Sequence, residues 1–364
     1  MPLWLVVPAL ALGIWLTSWV ASTAPDFENL ALGEMTMPIY GSYQGDKIFC
    51  SSLADVSQCL DPARKRHLAK RVVWFGNSQL HAINQAKLGD KTAPTLLAEQ
   101  LRPLGVEVQG FSFPSSSLAE LLVAWEYFRR DAHVDVLVVP LFFDDMREQG
   151  TREMLRAATD QPEIAASLNA TQVGREIVKR LPRQEVNENL DRSRASLQIR
   201  SEDRLTALLE RCCKMQTERA KARGQIEVQA FYFRNWLFGI TAQTARPMIP
   251  EAYNHNWAAI IEILKQAKAE KTRVILYIPP LRQDFSPPYD LVAYAKYKVD
   301  TAKLAKIYGA QWIDVDAIVP GKYWGTKAAT RIGGDPELDF MHYQGAGHRL
   351  LESHIAPLVE RALK

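Results

Sequence analysis

Residues Arg71 to Phe75 read Arg-Val-Val-Trp-Phe, and Gly76-Asn77-Ser78 follows them directly. The run is apolar after its first residue, which predicts a buried strand. A helix-patterned stretch, Pro94 to Leu101, comes next, and a second predicted strand follows at Val106 to Phe111. A strand, a helix and a second strand in this order predict a βαβ unit, and therefore an α/β fold with a parallel sheet.

The same alternation continues to the end of the chain. The further predicted elements are a helix from Ser117 to about Arg130, a strand at Val134 to Phe142, a helix at Trp257 to Ala269, a strand at Arg273 to Ile278, a helix at Leu291 to Tyr308, a strand at Gln311 to Val315 and a helix at Gly347 to Leu363. Five strands separated by helices predict a flavodoxin-like, doubly wound, five-stranded parallel sheet with right-handed crossovers. Ligands bind such sheets at the carboxyl ends of the strands, so the active site is expected there.

The composition is that of a globular protein. The chain has 364 residues, of which 47% are hydrophobic and 23% charged, and this excludes a disordered chain. Its 44 Lys and Arg residues against 41 Asp and Glu residues leave a formal net charge of +3. So small an excess does not favour nucleic acid as a partner. Small molecules, membranes or polymers are the expected partners.

The N-terminus contains a long uncharged run, Leu3 to Ala24. The run is long enough to cross a hydrocarbon core of roughly 30 Å. We predict a single transmembrane anchor over residues 1–25, with the N-terminus inside. A cleaved signal peptide is the alternative, because Ser22-Thr23-Ala24 offers small residues at suitable positions; no Lys or Arg precedes the run, which favours the anchor. Both interpretations place the rest of the chain on the extracytoplasmic, periplasmic side.

Residues 26–69 are predicted to link the anchor to the folded domain. Cys50 and Cys59 lie in this polar stretch at a spacing that a disulfide closes easily, and an oxidising compartment would form the bond. Two free thiols are the alternative. The state of the adjacent Cys212 and Cys213 stays open, because a vicinal disulfide would be strained. No CxxC or Cys/His cluster has the spacing of zinc ligands, so we expect no metal.

The folded domain is predicted over residues 70–364, with a large helical insertion at residues 148–255. The insertion lacks strand patterns and is rich in Arg. Its arginines could face an anionic polymer, lipid headgroups or a partner protein, although solvated faces of surface helices are the favoured interpretation.

Gly76-Asn77-Ser78 is the sharpest local motif. It follows the first strand, where a Ser hydroxyl lies at the sheet edge and its backbone N–H faces a developing negative charge. That is a suitable place for a nucleophile, although Ser is also an ordinary helix N-cap. Leu80 stands where the nucleophile elbow of α/β-hydrolases has its second glycine, so that elbow is excluded. No dinucleotide-binding or P-loop motif follows the strand, and we expect no cofactor.

A second motif, Asp339-Phe340-Met341-His342, precedes the last helix. A Ser hydroxyl is a poor nucleophile unless a neutral His takes its proton and an acidic group orients that His. Asp339 and His342 meet both needs from a loop that is expected to return to the same sheet edge. His81, one helical turn after Ser78, and His348, at the start of the last helix, are the alternatives. His342 is preferred because its loop can orient it independently.

On these residues the chain resembles the SGNH hydrolase superfamily. Gly76-Asn77-Ser78 resembles the first block of that family, Asp339-x-x-His342 resembles the last, and Gly347 resembles the glycine that often follows the catalytic His. The resemblance covers residues 70–148 and 256–364 and leaves the insertion unexplained. It implies that Ser78 is the nucleophile, His342 the base and Asp339 the acid that orients the base.

The middle blocks of the family fit less well. Members usually place an oxyanion-hole glycine after the second strand and an asparagine after the third. Here the second strand runs through Gly110 towards Ser115, and the third runs into Asp144-Asp145. The candidates for oxyanion or substrate binding are therefore Asn77, Gly110, Ser115 and Asp144. An ionised Asp144 would repel an oxyanion, and a turn or cap role for Asp144 and Asp145 is equally favoured.

An N-terminal anchor before an SGNH-like domain is similar to the arrangement of DltD-type proteins, which transfer D-alanine to lipoteichoic acid. Related envelope proteins work beside membrane-bound O-acyltransferases. The resemblance implies Ser-dependent acyl transfer, such as D-alanylation or acetylation, onto an acylated envelope polysaccharide or teichoic-acid-like polymer, with a membrane-bound O-acyltransferase as partner. The alternatives are an esterase or lipase that removes acyl groups, and a non-catalytic accessory that binds the polymer.

Overall fold

A six-stranded parallel sheet forms the centre of the fold. The computed structural model describes residues 35–50, 68–131, 133–149, 151–152, 155–180, 232–331 and 333–364. The strands of this sheet are β4 (Phe49–Cys50), β5 (Lys70–Gly76), β7 (Val106–Ser112), β8 (Val136–Pro140), β9 (Arg273–Ile278) and β10 (Gln311–Asp314). They lie in the order β10-β9-β8-β5-β7-β4.

Three antiparallel pairs of short strands accompany the sheet. They are formed by β1 (Thr36–Pro38) with β6 (Ala82–Asn84), β2 (Ser42–Tyr43) with β3 (Asp46–Lys47), and β11 (Trp324–Lys327) with β12 (Glu337–Tyr343). The helices are α1 (Ser78–His81), α2 (Ala93–Leu101), α3 (Leu118–Asp131), α4 (Arg156–Thr159), α5 (Pro162–Ala170), α6 (Gln172–Arg180), α7 (Pro250–Ala269), α8 (Leu291–Tyr308) and α9 (Gly345–Leu363).

The prediction of a parallel, doubly wound α/β sheet is confirmed. Without β4, the strands lie in the order 2-1-3-4-5 by chain position, which is the flavodoxin-like order. The predicted number of five strands is wrong, because β4 adds a sixth strand parallel to β7. This strand is only two residues long, too short for an apolar pattern to reveal it.

The alternation of side chains along β5 explains why its sequence is apolar from Val72 to Phe75. Val73 and Phe75 belong to one buried cluster, and Val72 and Trp74 belong to the other. Successive side chains of a strand point to opposite faces, so a strand covered by helices on both sides needs apolar residues at every position. The continuous run that predicted the strand therefore reflects two hydrophobic cores, one on each face of the sheet.

Most predicted helices occur close to their expected bounds. The helix expected at Ser117 begins with a capping box, because the Ser117 N–H donates to Glu120 Oε2 at 3.1 Å and the Glu120 N–H donates to Ser117 Oγ at 3.1 Å. Helix α8 ends at Gly309, whose φ of 72° favours glycine. Helix α7 begins at Pro250, about two turns before the predicted Trp257. Its first turns carry few apolar residues, and Pro at the first helical position is a start signal that the apolar pattern alone does not show.

The chain divides into two units, and the larger one holds the sheet. Its described residues lie within 35–180, 242–327 and 336–364, and those of the smaller unit are 232–241, 328–331 and 333–335. Of the predicted insertion, helices α4 to α6 lie in the larger unit, while residues 181–231 are outside the described part of the chain.

Three further predictions concern residues that are wholly or partly outside the described ranges. The anchor over residues 1–25 and the Cys212-Cys213 pair lie outside them, and no helix within the described ranges combines the length and hydropathy of a membrane span. Cys50, at the end of β4, is buried and disulfide-bonded. Its predicted partner, Cys59, is not among the described residues, so the Cys50–Cys59 pairing stays a prediction.

Candidate active site

Ser78 is the first residue of α1, immediately beyond the carboxyl end of the central strand β5. Asn77 caps this short helix, because its side-chain Oδ1 accepts the Gln79 N–H at 2.9 Å. The turn needs glycine at position 76, where a Cβ atom would lie 2.6 Å from Leu80 Cδ2. The Gly-Asn-Ser sequence thus sets the tight turn that holds Ser78 at the sheet edge.

Three side chains form a hydrogen-bonded chain at this edge. His342 Nε2 lies 2.9 Å from Ser78 Oγ, and the two residues are 264 positions apart in the sequence. His342 Nδ1 lies 3.0 Å from Asp339 Oδ2. An ionised carboxylate only accepts hydrogen bonds, so it keeps the imidazole proton on Nδ1 and leaves Nε2 free to accept the Ser78 proton. The arrangement has the geometry of an activated serine nucleophile.

The environment of Asp339 keeps its carboxylate ionised. Burial by itself raises the pKa, but the charge of His342 and hydrogen bonds from His342 and Met341 outweigh it and lower the pKa of Asp339 to about 2. Oδ1 accepts the backbone N–H of Met341 at 2.8 Å and that of His342 at 2.9 Å. Asp339 and His342 lie on β12 rather than in the predicted loop, because this segment pairs with β11. The hairpin supplies the rigidity that orients both groups.

Asn84 is a fourth member of the site that the sequence analysis missed. It ends β6, and its Nδ2 donates to Asp339 Oδ2 at 3.0 Å and to Thr326 O at 2.9 Å. Both Asn84 and Asp339 are fully buried. Helix α1, which begins with Ser78, runs directly into β6. The same short segment therefore carries Ser78 and the Asn84 amide that donates a hydrogen bond to Asp339, the acid of the Ser78–His342–Asp339 triad. No sequence motif marks Asn84, because its partners Thr326 and Asp339 lie more than 240 positions away and a third, Thr36, lies 48 positions away.

Replacing Asn84 with Ala is expected to lower kcat about ten-fold with little change in KM, because the Asp339 carboxylate loses one of its positioning hydrogen bonds. The free energy of unfolding is expected to fall by roughly 1–3 kcal/mol, since buried polar atoms lose their partner. Steady-state kinetics and urea unfolding measure the two effects. Asn254, which is exposed on α7, is the matched control, and Asn254→Ala should change neither. An unchanged kcat in Asn84→Ala would show that Asn84 does not position the triad.

The alternative histidines do not reach Ser78. His81 Nδ1 lies 2.9 Å from Ser112 Oγ, and the ring stacks on Tyr40. His348 accepts the Ala93 N–H at 3.3 Å and its Nε2 lies 3.3 Å from Ala82 O. Burial lowers the pKa of His81 to about 3 and that of His348 to about 4. Both rings are therefore neutral groups of the core.

The low pKa of His348 predicts a measurable effect on acid stability. Its unfolded-state pKa is about 6.5, so the unfolded chain binds more protons than the folded chain between pH 6.5 and 4. The contribution of neutral His348 to the free energy of unfolding is complete above pH 6.5. It is lost as the pH falls through this range, at up to ~1.4 kcal/mol per pH unit. We expect His348→Gln to flatten the dependence of unfolding free energy on pH in this range. Urea unfolding at several pH values checks this, with the exposed His354→Gln as control; an unaltered slope in His348→Gln would contradict it.

Two of the predicted oxyanion candidates are engaged in other hydrogen bonds. The Gly110 N–H donates to Ile48 O at 2.8 Å, within the contact that β7 makes with the unexpected strand β4. A Cβ atom at Gly110 would lie 2.6 Å from the Phe49 ring, so this glycine serves packing. Asn77 Nδ2 donates to both carboxylate oxygens of Asp145, at 3.0 and 3.2 Å. The single Gly110 N–H is therefore not available to an oxyanion, and the Asn77 amide is held on the Asp145 carboxylate.

The remaining candidates lie in turns. Ser115 is exposed with a φ of 50°, and no described contact joins it to Ser78. Asp144 accepts hydrogen bonds from Arg246 at 3.2 Å and from the Tyr289 hydroxyl at 3.3 Å. Among the described hydrogen bonds none uses the Ser78 N–H, which leaves it as the candidate oxyanion donor. The bond of the Gly110 N–H could not be predicted, because β4, the strand that brings Ile48 to it, was not expected.

No cation-binding cluster accompanies the triad in the described ranges. Groups of three or more His, Cys, Asp or Glu side chains placed to hold a metal ion do not occur there.

Comparisons with known proteins give only distant likenesses. No family model and no curated protein matches the chain. A GDSL-like lipase from Bacteroides thetaiotaomicron is 12% identical, with 85% of this chain and 98% of the lipase covered and a TM-score of 0.36. A catalytic mutant of an acetylxylan esterase from Geobacillus stearothermophilus is 10% identical, with 79% and 93% covered and a TM-score of 0.38. An alpha/beta hydrolase enzyme from the metagenome of Lake Arreo is 10% identical, with 79% and 94% covered and a TM-score of 0.40. Structural similarity at these identities and TM-scores does not assign an activity to this chain.

Proposed function

We propose that this protein is a serine-dependent enzyme that acts on acyl esters. The observation that carries the proposal is the chain of contacts from Ser78 Oγ to His342 Nε2 at 2.9 Å and from His342 Nδ1 to Asp339 Oδ2 at 3.0 Å. A serine with no special environment does not attack esters at a useful rate, and these two contacts supply the base and the orienting acid that it needs. A non-catalytic scaffold would not require Ser78, His342 and Asp339 to be joined by hydrogen bonds in this order.

The reaction begins when Ser78 Oγ attacks the ester carbonyl carbon while His342 Nε2 takes the hydroxyl proton. Asp339 stabilises the imidazolium that forms, and the negative charge on the carbonyl oxygen develops near the Ser78 N–H. The tetrahedral intermediate collapses, the bond to the alcohol breaks, and His342 returns the proton to the departing oxygen. The product of this half-reaction is an acyl-Ser78 ester.

In the second half-reaction another hydroxyl attacks acyl-Ser78, loses its proton to His342 and leaves with the acyl group, and Ser78 recovers its proton. We propose that this hydroxyl belongs to a cell-envelope polymer, that the chain is held at the extracytoplasmic face by residues 1–25, and that a membrane-bound O-acyltransferase supplies the acyl group. The disulfide at Cys50 supports an oxidising compartment. The resemblance to DltD-type proteins and the uncharged run Leu3 to Ala24 support the anchored location.

Trapping the acyl-enzyme tests the proposal. The full chain is incubated with a chromogenic short-chain ester, quenched in acid and mapped by mass spectrometry. We expect an acyl group on the peptide that contains Ser78 in the wild type and in the control Ser353→Ala, whose serine is exposed on α9. The acyl group should be absent in Ser78→Ala. An unmodified Ser78 under turnover conditions would contradict the proposal.

Adding a polyol or oligosaccharide acceptor separates transfer from hydrolysis. Transfer predicts that the acceptor shortens the lifetime of acyl-Ser78 and appears as an acylated product. An acceptor that remains unmodified while free acid accumulates would assign the chain to ester hydrolysis instead.

A further inference from the structure

Gln79 directly follows the nucleophile in α1, and its side chain joins three parts of the fold. The residue is buried, with 2% of its surface exposed. Its Nε2 donates to Met341 O at 2.8 Å and to Pro280 O at 3.0 Å. A side-chain amide has two N–H donors, so these two bonds use both of them. Because Met341 lies on β12 next to His342, and Pro280 follows β9, one amide ties the helix of the nucleophile to the strand of the base.

The bond to Met341 O holds the peptide group that leads into His342. A peptide group is planar, and the two polar atoms of this one are Met341 O and the His342 N–H. The oxygen accepts a hydrogen bond from Gln79 Nε2 at 2.8 Å, and the N–H donates to Asp339 Oδ1 at 2.9 Å. Both polar atoms of a rigid group are therefore bonded, which restrains the Cα atom that carries the imidazole.

The strand pairing of the β11–β12 hairpin is irregular at the triad residues. Its residue pairs end at Leu338 and resume at Tyr343. None of the pairs described for these two strands includes residues 339–342, which contain the acid and the base. The backbone position of this segment therefore depends on hydrogen bonds from side chains outside the hairpin. Gln79 supplies one of these bonds from the position next to Ser78.

We propose that Gln79 is a positioning residue, which keeps His342 Nε2 within hydrogen-bonding distance of Ser78 Oγ. The inference rests on the proposed function, because it concerns the base of that reaction. Gln79 and Ser78 are adjacent, so a displacement of α1 against β12 would stretch the amide contact and the contact between Ser78 and His342 together. Asn84 holds the acid of the triad, and Gln79 holds its base. Since the Gln79 amide acts through the backbone of β12, its loss should slow the attack on the ester rather than weaken ester binding.

Gln79→Met tests the inference, because methionine is similar in length but has no N–H donor. We expect kcat for the chromogenic short-chain ester to fall on the order of 10–100-fold, with KM changed less than about two-fold, since a misplacement of about 1 Å can cost about 10²-fold in rate. The rate at which a fluorophosphonate modifies Ser78 should fall by a similar factor, because His342 must take the Ser78 proton in that step too. Both rates are measured on the full chain at a temperature at which circular dichroism shows the variant to be folded.

Gln266→Met is the matched control for a merely structural role. Gln266 Nε2 also bonds across elements, to Glu126 Oε1 on α3 at 2.8 Å and to Glu262 Oε1 on α7 at 3.1 Å. It lies near the end of α7, which leads to the amino end of β9, whereas the triad lies at the carboxyl ends of the strands. We expect both substitutions to lower the thermal unfolding midpoint by a few degrees. Only Gln79→Met should slow turnover and the modification of Ser78.

Gln79→Asn decides the matter if Gln79→Met does not fold. It keeps an amide that is one methylene too short to reach both carbonyls, and we expect kcat to fall at least about five-fold. A kcat within about two-fold of the wild-type value in a folded Gln79 variant, an equal loss of kcat in Gln266→Met, or failure of both Gln79 variants to fold would overturn the inference. A wild-type chain in which Ser78 is not acylated by the ester would instead overturn the proposed function, so the two failures are distinguishable.

Discussion

Replacing Ser78 with Ala is expected to lower kcat for a chromogenic ester by on the order of 10⁴-fold or more, because the attacking oxygen is removed. Stopped-assay kinetics with the purified full chain measure the loss. The fold should be retained, since the one described hydrogen bond of Ser78 Oγ is to His342. The thermal unfolding midpoint of Ser78→Ala is therefore expected within a few degrees of the wild-type value.

The control for this substitution is Ser353→Ala, which removes an exposed hydroxyl from α9 and should leave kcat unchanged. Turnover that survives in Ser78→Ala at more than a few per cent of the wild-type rate would rule out Ser78 as the nucleophile. Loss of the folded state in Ser78→Ala would show a structural role that the described contacts do not provide.

A second Ser–His contact in the molecule sharpens the interpretation of that experiment. Ser112 Oγ lies 2.9 Å from His81 Nδ1, the same distance as in the Ser78–His342 contact. In the described part of the chain His81 Nε2 has no hydrogen-bond partner, so no carboxylate orients this ring. Burial, with smaller effects from His342 and His348, lowers the pKa of His81 to about 3, which makes it a weak proton acceptor. We therefore expect Ser112→Ala to retain most of the activity that Ser78→Ala loses.

Replacing Asp339 with Asn is expected to have the second-largest effect, a fall in kcat on the order of 10⁴-fold. If the Asn oxygen takes the place of Oδ1, it still accepts the backbone N–H groups of Met341 and His342. The amide NH₂ then faces His342 Nδ1 and moves the ring proton to Nε2. A protonated Nε2 cannot accept the proton of Ser78, so the nucleophile is not activated.

The opposite orientation of the Asn side chain is no better, because its NH₂ would face two backbone N–H donors. Burst and steady-state kinetics with the chromogenic ester measure the effect. Asp335→Asn, at an exposed position four residues earlier, is the control and should turn over like the wild type. A kcat within ten-fold of the wild-type value in Asp339→Asn would show that the carboxylate does not orient His342.

The regular elements could be predicted because their physical causes are local. Continuous apolar runs marked β5, β8 and β9, since each of these strands is buried on both faces. The capping pair Ser117 and Glu120 marked the start of α3, because both hydrogen bonds join residues three positions apart. The hairpin that carries Asp339 was missed, since its partner strand β11 is short and its register is irregular.

Hydrogen-bond partners far apart in the sequence could not be predicted in the same way. Gly110 was a reasonable oxyanion candidate until β4 occupied its N–H group. Asn77 was a candidate until its amide was found bonded to Asp145. In both cases the residue type allowed the role, and a partner far away in the sequence holds the group.

The amino-acid sequence alone determined the class of fold, the direction of the strands and a short set of residues able to activate a serine, because apolar patterning and residue chemistry act within a few positions. Which His reaches Ser78 and which groups hold Asp339 were decided only by the tertiary structure. Parallel strands bring their carboxyl ends to one edge whatever their separation in the chain. At that edge, the packing of the surrounding elements decides which side chains come within hydrogen-bonding distance.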